Sequence, residues 1–406
     1  MMQADSRIAY LSFDVVPAPK GAATHIEAFS RLLAESFGGL DLVTAAPGPD
    51  AIPPVERWPG VLHTALPAVG PSLIDRVLCF RRALERWLQP RRFQAIQFRS
   101  IFEGLPLLGL APAPLLIFEV NGLPSIELKY HYPRAADDRV LNLKLLSQEQ
   151  ACLDAASLIV TPSGVTAQYL ASRRGVPPEK IALIPNGVDL RVFPFRPPPR
   201  PNDCFRLLYF GTLAPWQGVD LTIRALAQLC QQAPAALTII GAGSRRRVGA
   251  LLDLGAKLGV GGHLQVLPPV TQAELLEHLH RSDAVLAPLG LCDRNVVQGC
   301  CPLKILESMA AGTPVIASDL PVVRELGRDG EHFLLVKPGS VDQLAEAALR
   351  LRSDPQLSSS LAHQARAHVE ATYTWEQAGA TLVAAYQTVV KVLHRLKSVP
   401  QAPATH

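Results

Sequence analysis

The sequence lacks the features that mark disulfide-rich, secreted and membrane-spanning proteins. Its seven cysteines are odd in number and irregularly spaced, no Cys-x-x-Cys pair occurs, and no histidine cluster accompanies the adjacent Cys300 and Cys301. This pattern disfavours a disulfide framework or a metal site and fits a reducing cytosol. No apolar run reaches the length of a membrane span, and residues 1–7 lead directly into a strand. We therefore expect a cytoplasmic protein without a signal peptide.

Strong net charge is also missing. The net charge is +4 and charged residues make up 18% of the chain, with no aromatic-rich basic motif, so no nucleic-acid partner is expected. Hydrophobic residues make up 48% of the 406 residues, which is enough for a large core. A chain of this length accommodates two domains of common size.

Strand and helix signals alternate along the chain, stop at the proline-rich segment 196–201, and then restart. Such alternation predicts parallel sheets covered by helices, here with about six strands in each half. We predict an α/β domain over residues 1–195, a second over 204–374, a last long helix over 375–396, and a loose tail after it.

Glycines follow several predicted strands, and ligands of open α/β sheets bind past the carboxyl ends of their strands. The pattern favours a cleft between the two domains as the binding site, although a glycine after a strand also simply marks a turn. The glycines concerned are Gly21, Gly122, Gly211, Gly241 and Gly243.

The segment from Gly299 to Glu325 reads as a helix, a tight turn at Gly312 and a buried strand. Lys304 lies in the first turn of the predicted helix, where its charge opposes the helix dipole unless an anion binds there. Glu307 follows one turn later and would accept hydrogen bonds from sugar hydroxyls. The alternative is an ordinary surface helix with Lys304 in solvent.

Five segments together resemble glycosyltransferase family 4: Gly175–Ile181, Ile184–Phe193, Tyr209–Leu213, Ile239–Gly243 and Glu307–Ser318. The resemblance implies an α/β GT-B fold, in which two Rossmann-like domains face each other across the active-site cleft. It implies a retaining enzyme that uses a nucleotide-diphosphate sugar without a metal or other cofactor. It also implies that the last helix crosses back onto the first domain.

Carried over by position, the resemblance makes Glu307 the residue that binds the nucleotide ribose. The diphosphate would lie on the amides around Cys301, Pro302 and Leu303, opposite Gly21, with Gly211, Gly241 and Gly243 close to the nucleotide.

Four positions depart from the family pattern. Gly299 replaces a glutamate, Thr212 an arginine, Gln217 a lysine and Asn121 a histidine. New polar groups near the predicted helix accompany these changes, and we expect them to rebuild the site: Lys304, Arg294, Asn295 and Gln298. Removing the usual cations without replacement would weaken stabilisation of the leaving diphosphate. Lys304, Glu307 and Asn121 are therefore the predicted catalytic residues, with Thr212 and Gln217 as neutral contacts of the donor.

The predicted activity is transfer of a sugar to a hydroxyl of a glycan or lipid-linked acceptor, in polysaccharide or glycoconjugate synthesis. Two alternatives stay open. One is another GT-B enzyme such as a nucleotide-sugar epimerase, for which Glu119 and His131 would be the acid/base candidates. The other is a non-catalytic homologue, which the missing glutamate at Gly299 would favour.

Residues 72–92 carry an amphipathic helix with a basic rim. Leu73, Val77, Phe80, Leu84 and Trp87 form its apolar stripe. A basic amphipathic helix can lie on anionic lipid, so peripheral contact with the inner face of a membrane is one interpretation. The other is a helix packed on the first domain with its basic face in solvent.

Overall fold

The computed structural model describes residues 8–133, 137–199 and 203–397. The tail that the sequence predicts to be loose and the end of the proline-rich segment lie outside these residues. Two sheets, each flanked by helices, account for the described chain.

The first sheet is built from strands of the amino-terminal half. Within the described residues its eight strands are β1 (Ile8–Val15), β2 (Leu40–Ala45), β3 (Ile52–Trp58), β4 (Val61–Leu66), β5 (Ala95–Phe98), β6 (Leu115–Glu119), β7 (Leu158–Thr161) and β8 (Ile181–Leu183). Their order is β3-β4-β2-β1-β5-β6-β7-β8, and only β3 is antiparallel to its neighbour. The flanking helices are α1 (Gly21–Phe37), α2 (Leu73–Leu88), α3 (Ile101–Gly104), α4 (Pro124–His131), α5 (Arg139–Ala155) and α6 (Gly164–Arg174).

The second sheet is fully parallel. Its strands are β9 (Phe205–Phe210), β10 (Ala235–Ile240), β11 (Leu264–Leu267), β12 (Ala284–Ala287), β13 (Val315–Ser318) and β14 (Leu334–Val336). The order β11-β10-β9-β12-β13-β14 is that of a doubly wound dinucleotide-binding sheet. The helices are α7 (Val219–Cys230), α8 (Arg245–Lys257), α9 (Gln272–Arg281), α10 (Leu303–Ala311), α11 (Pro321–Arg324), α12 (Val341–Ser353), α13 (Pro355–Thr372) and α14 (Trp375–Lys397).

The first sheet has more strands than the sequence predicted. Strand β3 contains Pro53 and Pro54 and is exposed along nearly its whole length, so its pattern reads as a loop. An edge strand tolerates both features, because one side of it has no partner to bond. β3 and β4 extend the sheet at the edge opposite β8, the strand that leads into the second domain.

Helix α14 belongs to the carboxyl-terminal end of the chain but packs on the first domain. Trp375 lies edge-on to Phe29 of α1, with 6.0 Å between the ring centroids. Leu382 and Tyr386 are buried in the first domain's core, and the Tyr386 hydroxyl donates a hydrogen bond of 2.6 Å to Gln97 Oε1. The last helix therefore ties the two halves together.

The apolar stripe of α2 is not available to a membrane, which corrects one reading of the sequence. Val77, Phe80, Leu84 and Trp87 are buried in the first domain's core. The physical reason is that the sheet offers a dry surface at the same helical face, so packing removes the stripe from water. Arg81, from the basic rim, donates hydrogen bonds to the carbonyls of Ile101 and Phe102.

Candidate functional site

A cavity of about 890 Å³ lies between the carboxyl ends of the two sheets. Its walls are the segments that follow the strands. On the first domain these lie within residues 12–25 at the end of β1 and beyond it, 99–103 after β5 and 121–127 after β6, and on the second within residues 210–217 and 240–242, which begin at the last residues of β9 and β10. This volume is typical of a site that encloses a small molecule. The position agrees with the cleft that the glycine pattern predicts.

Two helix N-termini meet at this cavity. A Cβ atom built on Gly21, the first residue of α1, would lie 3.1 Å from Cδ1 of Leu303, the first residue of α10. Neither helix has a side-chain cap or an acidic residue in its first turn. The unpaired first amides and the positive ends of both helix dipoles therefore face one region, which suits an anionic ligand.

Lys304 provides a positive charge at the same place. The side chain is only 8% exposed, Nζ donates a hydrogen bond of 2.6 Å to Gln217 Oε1, and it lies 4.1 Å from the centroid of the Tyr209 ring. Among the described residues no carboxylate forms an ion pair with it. Burial lowers the pKa of Lys304 to about 7, although Cys300 and Glu307 act in the opposite direction. The solvent-facing alternative for this lysine is wrong.

Glu307 lies one turn further along α10, in the cavity wall. It is half-buried, and burial raises the pKa of its carboxyl group to about 7, while the charge of Lys304 acts to lower it. No protein group in the described chain donates a hydrogen bond to its carboxylate. A carboxylate that lines a cavity without a protein donor is suited to accept hydrogen bonds from a ligand's hydroxyls.

Close backbone packing shapes the wall beside Lys304. Gly211 has φ of +125°, and a Cβ there would lie 3.2 Å from Lys304 Nζ. A Cβ on Gly241 would lie 1.8 Å from the Gly211 carbonyl oxygen, so only glycine fits. Thr212 and Gln217 also line the cavity, as predicted. Gly243 does not: it is exposed and packs against Leu213.

Asn121 lies at the cavity but its amide is partly committed, because Nδ2 donates a hydrogen bond to Glu119. The buried Glu119 carboxylate also accepts hydrogen bonds of 2.5 Å from Tyr10, Gln97 and Arg99. Burial raises its pKa, but Arg99 and His25 prevail and hold the pKa well below its usual range. Glu119 is therefore a structural anion and not the acid/base group that an epimerase would need.

His131, the other acid/base candidate, is exposed at the end of α4. Its ring lies edge-on to Trp216, with 5.0 Å between the centroids. It does not line the cavity, so the structure brings neither candidate of the epimerase interpretation into the site as a free acid or base.

A polar chain that the sequence analysis missed joins the domains at the start of α10. Asn186 Nδ2 donates a hydrogen bond of 2.7 Å to the Cys301 carbonyl, which leaves Oδ1 facing His25 Nδ1 at 2.7 Å. His25 Nε2 lies 2.8 Å from Glu119 Oε1. Asn186 lies in the Ile184–Phe193 motif, so that motif could have pointed to Asn186 as a functional residue. His25 lies in none of the five motifs, and no sequence pattern marked it. These hydrogen bonds position Cys301, two residues before the start of α10.

The loop before α10 differs in part from the prediction. Gln298 is fully buried and spans the domains: Oε1 accepts from the Leu123 amide at 2.8 Å and Nε2 donates to Glu127 Oε1 at 2.8 Å. With both ends of its amide occupied, Gln298 is not a ligand contact. Asn295 is also buried and donates to two backbone carbonyls. Arg294 does line the cavity, where Nε pairs with Glu127 Oε1 at 2.9 Å.

The backbone before α10 needs a second correction. Cys301, Pro302 and Leu303 all line the cavity, but Pro302 has no amide hydrogen and cannot donate to a phosphate. Pro302 therefore drops out of the predicted donors, whereas Cys301 and Leu303 each keep an amide hydrogen and the Lys304 amide follows in the first turn of α10. Pro302 shapes the cavity wall and immediately precedes the first residue of α10.

Gly299, where the family pattern has a glutamate, lies against the first domain. Its φ is +84°, and a Cβ there would lie 2.7 Å from Thr166 Oγ1 and 2.9 Å from the Thr166 amide. Nearby, Glu325 accepts hydrogen bonds from Ser163 Oγ at 2.9 Å and from the Val165 amide at 2.9 Å, which caps α6 across the domain boundary. The position has thus become a packing contact between domains.

In the part of the chain that the structure describes, no group of three His, Cys, Asp or Glu side chains could hold a metal ion. Over the same residues, no helix is both long and apolar enough to span a bilayer.

Two family models match this chain. The model described as Glycosyltransferase Family 4 matches residues 19–192, and the model described as Glycosyl transferases group 1 matches residues 204–354. The chain is 26% identical to a D-inositol 3-phosphate glycosyltransferase of Thermobispora bispora, over 96% of each protein.

Solved structures with the same fold accompany these matches. Sucrose-phosphate synthase from Thermosynechococcus elongatus superposes with a TM-score of 0.79 at 20% identity, over 95% of this chain and 100% of that one. Anabaena HepE, solved with UDP and glucose, gives a TM-score of 0.72 at 16% identity, over 94% of this chain and 100% of that one. The GT-B fold predicted from the sequence is confirmed.

Proposed function

Because this chain belongs to glycosyltransferase family 4 and is a glycosyltransferase, we propose that its donor is a nucleotide-diphosphate sugar. The sugar would be transferred with retention to a hydroxyl of a sugar or lipid-linked sugar. One observation carries the proposal: Lys304, a buried cation without a carboxylate partner in the described chain, lies where the N-termini of α1 and α10 meet. A diphosphate is the group of a sugar donor that such a place would bind.

In this proposal the diphosphate lies between Gly21 and the first turn of α10. It accepts hydrogen bonds from the amides of Leu303 and Lys304 and a charge-assisted one from Lys304 Nζ. As the bond between the anomeric carbon and the phosphate oxygen breaks, negative charge grows on that oxygen. Lys304 and the two helix dipoles stabilise it from positions already fixed by the fold.

The acceptor hydroxyl would attack on the face from which the diphosphate leaves. The acceptor oxygen then forms the new bond to the anomeric carbon, and its proton passes to the departing phosphate oxygen. This route needs no separate protein base, which fits a cavity where Glu119 is fully paired. We propose that no metal takes part, because Lys304 and the helix amides supply the positive field.

Glu307 would bind the ribose, because its carboxylate faces the cavity without a protein donor. The base would extend from there towards the segments that follow β10 and β11, where residues 240–242 and 269–272 line the cavity. Asn121 would contact the transferred sugar or the acceptor on the opposite domain.

The membrane part of the proposal now depends on the outer face of α2. Ile74 is 61% exposed and Leu78 is 42% exposed, and Arg82 and Arg86 are exposed on the same helix. These residues would contact anionic lipid at the inner face of a membrane and bring a lipid-linked acceptor close. Co-sedimentation with anionic vesicles at low salt, compared with an Ile74→Ser, Leu78→Ser variant, tests it; equal recovery of both proteins would remove this part.

A donor screen tests the proposed function itself. The full chain would be incubated with UDP-, GDP- and ADP-sugars, and hydrolysis of the donor and binding of the free nucleotide would be measured. We expect one base to be preferred and its sugar donor to be hydrolysed slowly without an acceptor. Binding without any turnover would favour a non-catalytic homologue, and epimerisation of the free nucleotide sugar would favour a nucleotide-sugar epimerase. Lack of binding to every nucleotide would overturn the assignment of the cavity.

A further inference from the structure

We propose that the acceptor presents an uncharged, hydroxylated ring and carries no phosphate where it contacts this protein. The inference rests on the proposed function, because it concerns the acceptor half of the same cavity. It distinguishes this chain from the relatives named for D-inositol 3-phosphate. Two independent features of the first domain's wall carry it: an aromatic surface, and the pairing of the lysine and the arginine that line the cavity with carboxylates.

The aromatic surface consists of Phe13 at the end of β1 and Phe102 in α3. Both rings line the cavity, and they meet edge-to-face with 5.3 Å between their centroids. Phe80, behind them in the core, contacts Phe13 with the same edge-to-face geometry at 5.3 Å. Both side chains are half-buried, so part of the pair is accessible from the cavity. An apolar surface of this kind suits the C–H face of a sugar or cyclic polyol and offers nothing to a phosphate.

The cations of the same wall are already neutralised. Lys20 Nζ lies 2.6 Å from Asp14 Oδ1, and Arg99 lies 2.5 Å from Glu119 and 3.8 Å from Asp14. Burial raises the pKa of Asp14, but Arg99 and Lys20 prevail and keep it below its usual value, so this carboxylate is ionised near neutral pH. Among the described residues, the first domain offers the cavity no lysine or arginine without a carboxylate partner.

One more cation lies near the aromatic pair. The Arg76 guanidinium is 5.7 Å from the centroid of Phe13, and its Nε donates a hydrogen bond to the Ala68 carbonyl. Arg76 is not among the residues that line the cavity. It therefore stacks on the aromatic surface and does not provide a phosphate site within it.

Carboxylates outnumber free cations on this wall. Besides Asp14, Glu27 and Glu127 line it. Glu27 pairs with Arg31 at 2.5 Å, and Glu127 pairs with Arg294 at 2.9 Å. A phosphate placed here would lose its hydration without gaining an unpaired cation. It would also lie close to the donor diphosphate, whose charge Lys304 already has to balance. A neutral ring instead gains hydrogen bonds from hydroxyls to Asp14 and Asn121 and apolar contact with the rings.

Matched acceptor pairs test the inference on the full chain in the presence of the donor found in the screen. The pairs are myo-inositol against D-inositol 3-phosphate, and methyl α-glucoside against glucose 6-phosphate. Transfer is followed by product formation, and binding to the nucleotide-saturated protein by saturation-transfer difference NMR. We expect the neutral member of a pair to bind or react at least tenfold better. Tighter binding of the phosphorylated members, or no binding of either class, would overturn the inference.

Two variants sharpen the test. Asp14→Asn removes the partner of Lys20, so the preference should shift at least tenfold towards the phosphorylated member. Asp319→Asn, which breaks the pair with Arg324 outside the cavity, should not shift it. Phe102→Leu should raise the acceptor KM severalfold with unchanged nucleotide affinity, whereas Phe93→Leu, beside Trp87, should change neither. An unchanged preference in Asp14→Asn would contradict the charge argument.

The two proposals fail in different ways. If no nucleotide binds, the proposed function fails. If a nucleotide sugar binds and is hydrolysed but phosphorylated acceptors are preferred, the donor assignment stands and only the acceptor inference is overturned.

Discussion

Lys304 Nζ and Gln217 Oε1 are joined by a hydrogen bond of 2.6 Å, so a cation from the start of α10 lies beside the turn that precedes α7. The family pattern has a lysine where this chain has Gln217. The positive charge therefore reaches the same part of the cavity from a different element. The proposed diphosphate site therefore keeps a cation, although the chain lacks the family's two cations at Thr212 and Gln217.

Moving the charge back tests this relationship. Lys304→Gln should lower kcat by roughly 10²–10³-fold, because the leaving diphosphate loses a preorganised cation. The double variant Lys304→Gln, Gln217→Lys places an amine on the other side of the same contact and should recover at least about tenfold of that loss. Steady-state kinetics with the preferred donor measure both. A double variant no better than the single one would show that position, and not only charge, is required.

Glu307 should be specific for the ribose hydroxyls. Glu307→Gln should weaken nucleotide binding by roughly 10–100-fold, since hydrogen bonds to a charged group are worth about 1.5–3 kcal/mol. The effect should be much smaller for the 2′,3′-dideoxynucleotide, which lacks the hydroxyls. Isothermal titration calorimetry of both nucleotides with the wild type and with Glu307→Gln gives the coupling free energy between Glu307 and the ribose hydroxyls. Equal losses for the two ligands would place Glu307 away from the ribose.

Nucleotide binding should weaken as the pH rises above about 7. In the free protein the pKa of Lys304 is lowered to about 7, mainly by burial, so Lys304 loses its proton in this range. A bound diphosphate favours the charged form and raises that pKa, so binding takes up a proton. We expect affinity for the nucleoside diphosphate to fall by roughly tenfold between pH 7 and 8.5.

The Lys304→Met variant is the control for this pH dependence. It keeps Glu307, whose pKa is raised to about 7 by burial, so any pH dependence left in the variant belongs to the other groups. Titration in buffers of different ionisation enthalpy should show proton uptake in the wild type only. The same slope in both proteins would rule out Lys304 as the titrating group.

Restoring the family's glutamate at position 299 should harm the protein. Gly299→Glu puts a side chain where φ is +84° and where a Cβ would lie 2.7 Å from Thr166 Oγ1. We expect a loss of roughly 1–3 kcal/mol in the free energy of unfolding and lower activity, because the domains must separate there. Thermal unfolding measures the loss of stability, steady-state kinetics the loss of activity, and small-angle scattering the separation of the domains.

Gly249→Glu is the matched control, because nothing lies within 4 Å of a Cβ at that position and it lies within a helix. It should leave the melting temperature and the activity close to wild type. A gain of activity in Gly299→Glu would instead mean that the missing glutamate limits catalysis, as the non-catalytic alternative supposes.

Much of the fold follows from local patterns. Strands such as Ala95–Phe98 and Leu158–Thr161 can be recognised in the sequence, because buried parallel strands are short apolar runs between clear turns. β3 escaped prediction because its prolines and exposure are tolerated only at a sheet edge. The apolar stripe in the sequence of α2 shows that this helix has an apolar face, but it does not show which surface covers that face.

The sequence by itself determined the two α/β halves, the family and the helix that carries Lys304 and Glu307, since these depend on periodicity and on residues close together in the chain. Only the tertiary structure decided which polar residues face the cavity. Gln298 and Glu119 look like site residues in the sequence, yet contacts more than 100 residues away along the chain occupy them. The position of the Lys304 side chain also depends on a tertiary contact, because its partner Gln217 lies 87 residues away along the chain and meets α10 only in the folded protein.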